Sequence, residues 1–134
     1  MTKLRHTDIF VSGGGVAGLT AAAAFAQAGF SVICADPTPP ITDAATEGSD
    51  LRTTAFLQPS RLFLERAGLW DRLEAHATPL QIMRIVDAGG ELAEPRVAHD
   101  FNAADISELP FGWNLPNWLL RLEIVAHLAT LPNV

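Results

Sequence analysis

The sequence predicts an α/β fold that begins with a strand–helix–strand unit over about residues 7–36. Three observations predict this unit. A run of β-branched and aromatic residues at 7–12 ends in consecutive glycines, an alanine-rich segment follows at 16–28, and a second apolar run occupies 30–35. β-Branched runs favour strands, alanine favours helix, and glycine favours the turn between them. The whole pattern has the length of one βαβ unit.

The alanine-rich segment carries one apolar stripe at helical spacing, which predicts the face of the helix that is buried. This stripe consists of Leu19, Ala22, Ala23 and Ala26. Gly29 stands where a glycine commonly follows the last turn of a helix. Because βαβ crossovers join parallel strands, we expect a twisted, mainly parallel sheet with the first strand near its centre.

The rest of the chain predicts a second, less regular segment over about residues 50–134, within a single domain spanning 1–134. Prolines in 37–50 predict a loop, and Pro59 suits the first turn of a helix that ends near Gly68. Apolar runs flanking Asp87–Gly90 predict a β-hairpin, whose returning strand is demoted to an edge by Pro95. A brief strand at 113–116 and a helix from Asn117 complete the pattern.

Composition excludes several classes of protein. The 134 residues are 49 % hydrophobic and 18 % charged, which suits one domain with a core. A formal charge of −6 argues against nucleic acid as a partner. The single cysteine, Cys34, fits a reducing compartment, and the scattered histidines lack zinc-ligand spacing. With no signal peptide and no apolar run of membrane-spanning length, we expect a soluble, cytoplasmic domain without a metal site.

The glycines between the first strand and the helix fit the pattern G-x-G-x-x-G, in which each glycine has its own physical role. Gly13 permits a sharp turn, a side chain on Gly15 would collide with an approaching pyrophosphate, and Gly18 lets the helix pack closely on the strand. The N-terminus of the helix offers free N–H groups to phosphate. The candidate cofactor-binding residues of this Rossmann-like unit are Gly13, Gly14, Gly15, Val16, Ala17 and Gly18.

An acidic residue, Asp36, closes the second strand at about the spacing expected for the acid that binds an adenosine ribose. An acidic residue at this position favours FAD or NAD over NADP, because the 2′-phosphate of NADP would require a basic residue there. Two simpler interpretations remain open. The glycines could form a turn that binds no ligand, and Asp36 could be a turn residue.

The middle of the chain resembles a known enzyme family. The run Asp50–Phe56 contains Asp-x-Arg, and after the helix at 59–67 comes Gly-Leu-Trp at 68–70. Thr78-Pro79 and the run Asn117–Leu122 follow. These features are similar to the FAD-dependent aromatic hydroxylases of the para-hydroxybenzoate hydroxylase type, nearest the polyprenyl-phenol hydroxylases of ubiquinone biosynthesis. The resemblance extends over about residues 8–134, although the run 52–58 departs from the pattern common in relatives.

The resemblance implies that Arg52 and Arg121 contact FAD. It further implies a flavin-dependent monooxygenase that uses NAD(P)H and O2 to hydroxylate a small aromatic substrate, a ubiquinone precursor in the nearest branch. The alternatives are another FAD- or NAD-dependent oxidoreductase that shares only the glycine pattern, or a nucleotide-binding chain without activity. No catalytic side chain is assigned.

The family's later nucleotide-binding and ribityl-binding segments, and most of its substrate-side sheet, have no counterpart among the 134 residues. We therefore expect an N-terminal portion of the FAD-binding domain, with a hairpin that belongs to the substrate-side layer. We also expect that this chain by itself is not a competent hydroxylase.

Overall fold

The computed structural model describes residues 4–91 and 94–134. The helices are α1 (Val16–Gln27), α2 (Gln58–Arg66), α3 (Trp70–Leu73) and α4 (Asn117–Leu128). The strands are β1 (Ile9–Ser12), β2 (Val32–Ala35), β3 (Thr53–Leu57), β4 (Thr78–Leu80), β5 (Ile82–Gly89), β6 (Glu94–Asn102) and β7 (Gly112–Pro116). Short 3₁₀ turns occupy Glu74–His76 and Ala103–Asp105.

The strand–helix–strand unit is present. β1 and β2 pair in parallel, with Ile9 opposite Val32 and Ser12 opposite Ala35, and α1 forms the crossover between them. α1 ends at Gln27, and Gly29 follows with a φ of +94°, a conformation that favours glycine. β2 begins at Val32, two residues later than the apolar run suggests.

The expectation of a mainly parallel sheet with β1 at its centre is wrong for the described residues. β1 pairs only with β2 there, whereas β3 and β4 flank β7 in an antiparallel sheet and β5 pairs with β6 in an antiparallel hairpin. The physical reason lies after Asp36. A proline-containing loop follows β2 in place of a second crossover helix, so the chain returns as antiparallel strands.

β3 and β4 were not expected from the sequence pattern. β4 has three residues and contains Pro79, which is tolerated because β4 lies at the edge of its sheet beside β7. The hairpin is confirmed, but its turn lies further along the chain, since β5 continues through Gly89. The connection includes residues 92–93, which lie outside the described residues. A register shift at Asp87/Ala88, opposite Pro95, interrupts the ladder.

The core lies between α1 and α4, with α2 and α3 against them. The apolar stripe expected on α1 is confirmed, because its four residues are between 0 and 6 % exposed. Leu120 and Ile124 of α4 are fully buried in the same cluster. α4 therefore has a fixed position relative to the start of α1. Within the described ranges, no helix combines the length and apolarity needed to cross a bilayer.

Candidate functional site

The glycine turn joins β1 to α1 and has little tolerance for side chains at its structural positions. Gly13 has a φ of +120° and its N–H donates to the carbonyl of Ala35 over 2.8 Å, which ties the turn to β2. A Cβ on Gly18 would collide with the carbonyl oxygen of Gly13. Close packing of α1 on the turn therefore requires glycine at position 18.

Gly15 behaves differently, because a Cβ built there would meet no atom of the protein within 4 Å. The backbone at Gly15 has a φ of −74°, which any residue can adopt. Neither packing nor conformation within the chain explains this glycine. An open space directly over the turn is what a ligand approaching the backbone would need.

The N-terminus of α1 faces the same space and is suited to an anion. Gly15 is its N-cap residue, no side chain caps the helix, and no acidic residue lies in its first turn. The first N–H groups of a helix lack partners within the helix, and they carry a partial positive charge. Backbone N–H groups at Val16 and Ala17 are therefore available to a phosphate.

Asp36 lies beside the turn and is bonded to it. Its carboxylate accepts a hydrogen bond from Gly14 N–H at 2.7 Å, and from the N–H and Oγ1 of Thr38 at 2.9 and 3.1 Å. These bonds, that from Gly14 foremost, hold the pKa of the Asp36 carboxyl below its ordinary value. Asp36 is thus an exposed acceptor at the end of β2, and its bonds from Thr38, two residues on, are those of the turn residue that the sequence left open.

Two hollows meet at Gly14 and Asp36. One has a volume of about 200 Å³ and is mostly polar, with Gly15 and Arg121 in its lining. The other has a volume of about 390 Å³ and is mostly apolar, lined in part by Cys34 and by Val125 of α4. A dinucleotide has a charged centre and flat apolar ends, so this pairing of surfaces matches its chemistry.

The structure separates the two arginines implied by the resemblance. Arg121 projects from α4 into the lining of the polar hollow, beside Gly14 and Gly15. The Arg52 side chain is 83 % exposed and its guanidinium is bonded to Asp50, with Nε and Nη2 donating over 2.8 and 2.9 Å. Arg52 is therefore not brought to the glycine turn, whereas Arg121 is.

Asp50 is bonded to Asn117 and lies near Arg121, and the sequence interpretation gave neither Asp50 nor Asn117 a role of its own. The Asp50 carboxylate accepts from Arg52 and from Asn117 Nδ2, the latter at 3.0 Å, and it lies 3.9 Å from Arg121 Nη2. The hydrogen bonds from the side chains of Arg52 and, second, of Asn117 hold the pKa of the Asp50 carboxyl well below its ordinary range. The sequence signals for these two residues are the Asp-x-Arg run at 50–52 and the run Asn117–Leu122, in both of which the resemblance assigns a role only to the arginine.

Val16 and Ala17 also border a third, mainly apolar hollow of about 670 Å³ between α1, β3 and α2. Its other lining residues include Thr54, Phe56 and Phe63. Within the described ranges no group of three or more histidine, cysteine or acidic side chains could hold a metal ion. The uncapped start of α1 and the apolar linings beside it suit an anionic, partly apolar molecule at the glycine turn.

Comparisons with known proteins agree with this geometry. The family model for FAD binding domains matches residues 8–54, which include the glycine turn, Asp36 and Asp50. The ubiquinone hydroxylase UbiL of Rhodospirillum rubrum is 34 % identical over 125 residues, or 93 % of this chain. A 3-(3-hydroxy-phenyl)propionate/3-hydroxycinnamic acid hydroxylase of Comamonas testosteroni is 30 % identical over 87 % of the chain.

Solved structures show the same fold. The flavin-dependent monooxygenase PieE, solved with FAD and substrate, is 25 % identical with a TM-score of 0.66, over 95 % of this chain and 22 % of that one. The p-nitrophenol 4-monooxygenase PnpA of Pseudomonas putida has the same TM-score at 24 % identity, over 94 % of this chain and 29 % of that one. At that identity, PnpA supports the fold alone.

The chain therefore has the α/β fold of an FAD-binding domain. Its resemblance to the FAD-dependent aromatic hydroxylases is confirmed, and a ubiquinone hydroxylase is among the relatives that it matches. The chain spans only 28 % of the length of the Rhodospirillum relative and 18 % of that of the Comamonas relative.

Proposed function

We propose that this chain binds FAD as part of a flavin-dependent monooxygenase that hydroxylates an aromatic substrate with NAD(P)H and O2. The observation that carries the proposal is the open space at Gly15, beside the uncapped start of α1 and the Arg121 guanidinium. Bound FAD would supply the redox chemistry, while the residues of the chain bind and orient it.

Each part of the cofactor has a suitable surface on the chain. The pyrophosphate would lie over Gly14 and Gly15, accept hydrogen bonds from the first N–H groups of α1, and pair with Arg121. The adenosine ribose would donate its hydroxyls to Asp36, and the adenine would enter the apolar hollow beside Cys34. The full proposed set is Gly13, Gly14, Gly15, Val16, Ala17, Gly18, Asp36, Arg52 and Arg121.

Arg52 has the weakest structural support in this set. Its guanidinium is committed to Asp50 and lies outside the polar hollow. Arg52 would contact the cofactor only if its guanidinium broke its hydrogen bonds to Asp50 and donated to a cofactor oxygen instead. Arg121 needs no such exchange, because it already lines the hollow.

The nature of the substrate rests on relatives. The Rhodospirillum relative is named a ubiquinone hydroxylase, and the Comamonas relative is named a 3-(3-hydroxy-phenyl)propionate/3-hydroxycinnamic acid hydroxylase. We accordingly propose a phenolic substrate, of the kind from which ubiquinone is built. The β5–β6 hairpin would belong to the substrate-side layer, since it exposes Met83, Ile85 and Phe101. A cytoplasmic location is also proposed, in keeping with the free thiol of Cys34.

The test is direct binding. The purified chain, incubated with excess FAD and passed through gel filtration, should elute with a flavin absorbance band. The Gly15→Leu variant should elute without it, because the leucine fills the space over the turn. Asp36→Ala should weaken binding, by roughly tenfold, without abolishing it. Tight binding of NAD with no retention of flavin would contradict the proposal and favour an NAD-dependent oxidoreductase.

A further inference from the structure

Asp50 is at the centre of a polar junction with Arg52, Arg121 and Asn117. Its side chain is 14 % exposed, and it is approached by two guanidinium groups and one amide. Arg52 is bonded to it through two nitrogens, whereas Arg121 stands at 3.9 Å, beyond hydrogen-bonding distance. The junction therefore has one tightly held arginine and one loosely held arginine.

The junction is fastened to two elements of the fold. Asn117, the first residue of α4, donates to Asp50, while its Oδ1 accepts from Thr54 of β3 at 2.6 Å. The N–H of Asn117 donates to the carbonyl of Arg52 at 2.9 Å. The carboxylate of Asp50 thus has a fixed position relative to the first turn of α4.

Arg121 follows Asn117 by one helical turn, and residues four apart lie on the same face of a helix. Its side chain therefore passes close to Asp50 before it reaches the lining of the polar hollow with Gly14 and Gly15. Because Arg52 already satisfies the carboxylate with a two-bond pair, the donors of Arg121 remain free for an anion in the hollow.

We propose that Asp50 is a positioning residue, which restrains Arg121 beside the glycine turn while its own charge is balanced by Arg52. The inference rests on the proposed binding of FAD and adds a residue that acts on the cofactor only through another. Confining a long cationic side chain before binding reduces the conformational entropy lost when the ligand arrives.

The sign of the effect makes the inference testable. A carboxylate near a diphosphate repels it, so removal of that charge by Asp50→Asn would tighten binding if electrostatics alone mattered. If Asp50 positions Arg121, the same substitution has the opposite effect on affinity, because Arg121 is then no longer held beside the glycine turn. We therefore expect Asp50→Asn to weaken binding of FAD by roughly five- to tenfold.

The experiment measures dissociation constants for FAD and for ADP by calorimetry on the 134-residue chain and its variants. Asp50→Asn should weaken binding in the wild-type background and should have no further effect in an Arg121→Gln background. Asp100→Asn is the matched control, since Asp100 forms the same kind of two-bond pair with Arg84 on the distant hairpin. It should leave both constants unchanged.

The outcomes separate this inference from the proposed function. Normal binding by the wild type, with equal or tighter binding by Asp50→Asn, would overturn the inference alone. A loss of affinity that persists in the Arg121→Gln background would also overturn it, because the effect would then be general to the fold. If the wild type binds neither FAD nor ADP, the proposed function fails, and the inference fails with it.

Discussion

At the residue scale, Gly15 and Gly18 meet two different demands although they lie three positions apart. A side chain at Gly18 would collide with the backbone of Gly13, which makes this glycine necessary for the fold. A side chain at Gly15 would meet no protein atom. Stability and ligand binding should therefore be separable by substitution within one turn.

We expect the free energy of unfolding of Gly15→Leu to lie within about 0.5 kcal/mol of the wild-type value, because position 15 is open and its backbone is unstrained. The same variant should lose measurable binding of FAD. Gly18→Ala is the contrasting variant and should lose about 1–3 kcal/mol of stability, since the added methyl forces α1 away from the turn. Urea unfolding and a flavin titration measure the two effects. Equal destabilisation by both variants would contradict this division.

Cys34 offers a second measurement at residue scale, because it is the single cysteine of the chain and lines the apolar hollow beside Asp36. Burial, and then the charge of Asp36, raise the pKa of its thiol, so labelling by a maleimide should be slow. We expect FAD to slow the labelling further by covering the hollow. Free riboflavin, which lacks the adenosine, is the control and should not protect. Equal labelling rates with and without FAD would show that the adenine does not bind in this hollow.

At the scale of elements, α4 performs two tasks with different faces. Leu120 and Ile124 are buried against α1 and the neighbouring helices, while Asn117 and Arg121 point toward the Asp50 junction and the polar hollow. The helix that completes the core is therefore also the helix that delivers a cation to the site. A change in the packing of α4 should therefore change the position of Arg121 relative to the glycine turn.

His127, in the last turn of α4, should make stability depend on pH. Among the described residues its Nε2 is buried without a hydrogen-bond partner, and burial, with the charge of Arg72, lowers its pKa below the ordinary 6.5. The unfolded chain then takes up the proton before the folded chain does. Stability contributed by neutral His127 is thus present above pH 6.5 and is lost as pH falls toward the folded pKa.

Urea unfolding at pH 7.5 and at pH 5.5 measures this contribution, and His127→Gln should reduce the difference between the two conditions. His76 is exposed and provides the matched control, so His76→Gln should leave the difference as it is in the wild type. An unchanged pH dependence in His127→Gln would show that the burial of this ring does not control its protonation.

Elements with a strong local pattern could be predicted from sequence, and elements defined by distant partners could not. The buried stripe of α1 and the glycine turn follow from spacing that a few residues determine. β3 and β4 are short, and each is a strand only because β7, far along the chain, pairs with it. The same limit applies to the site. Asp36 could be predicted because it directly follows β2 in the sequence. The junction at Asp50 could not, because it depends on a hydrogen bond from Asn117, which is 67 positions away.

At the scale of the whole molecule, the proposed FAD site among the described residues is open to solvent. The hollows beside Asp36 are shallow and continuous with solvent, and the β5–β6 hairpin exposes apolar side chains, among them Met83, Ile85 and Phe101. The segment shared with this chain makes up 28 % of the Rhodospirillum relative and 18 % of the Comamonas relative. Cofactor binding and substrate turnover should therefore have different structural requirements.

We expect the 134-residue chain, tested by itself, to bind FAD without coupled hydroxylation. Ligand pockets enclose most of the surface of the molecule they act on, and flavin-dependent oxygen chemistry requires water to be kept from the reacting ring. The open hollows around Asp36 and Arg121 give the adenosine and pyrophosphate a surface, but they do not enclose a flavin ring. Assays with FAD, NADH or NADPH and a phenol should show at most slow oxidation of the reductant, independent of the phenol. Phenol-dependent oxidation with an equivalent amount of hydroxylated product would show that one side of the site suffices.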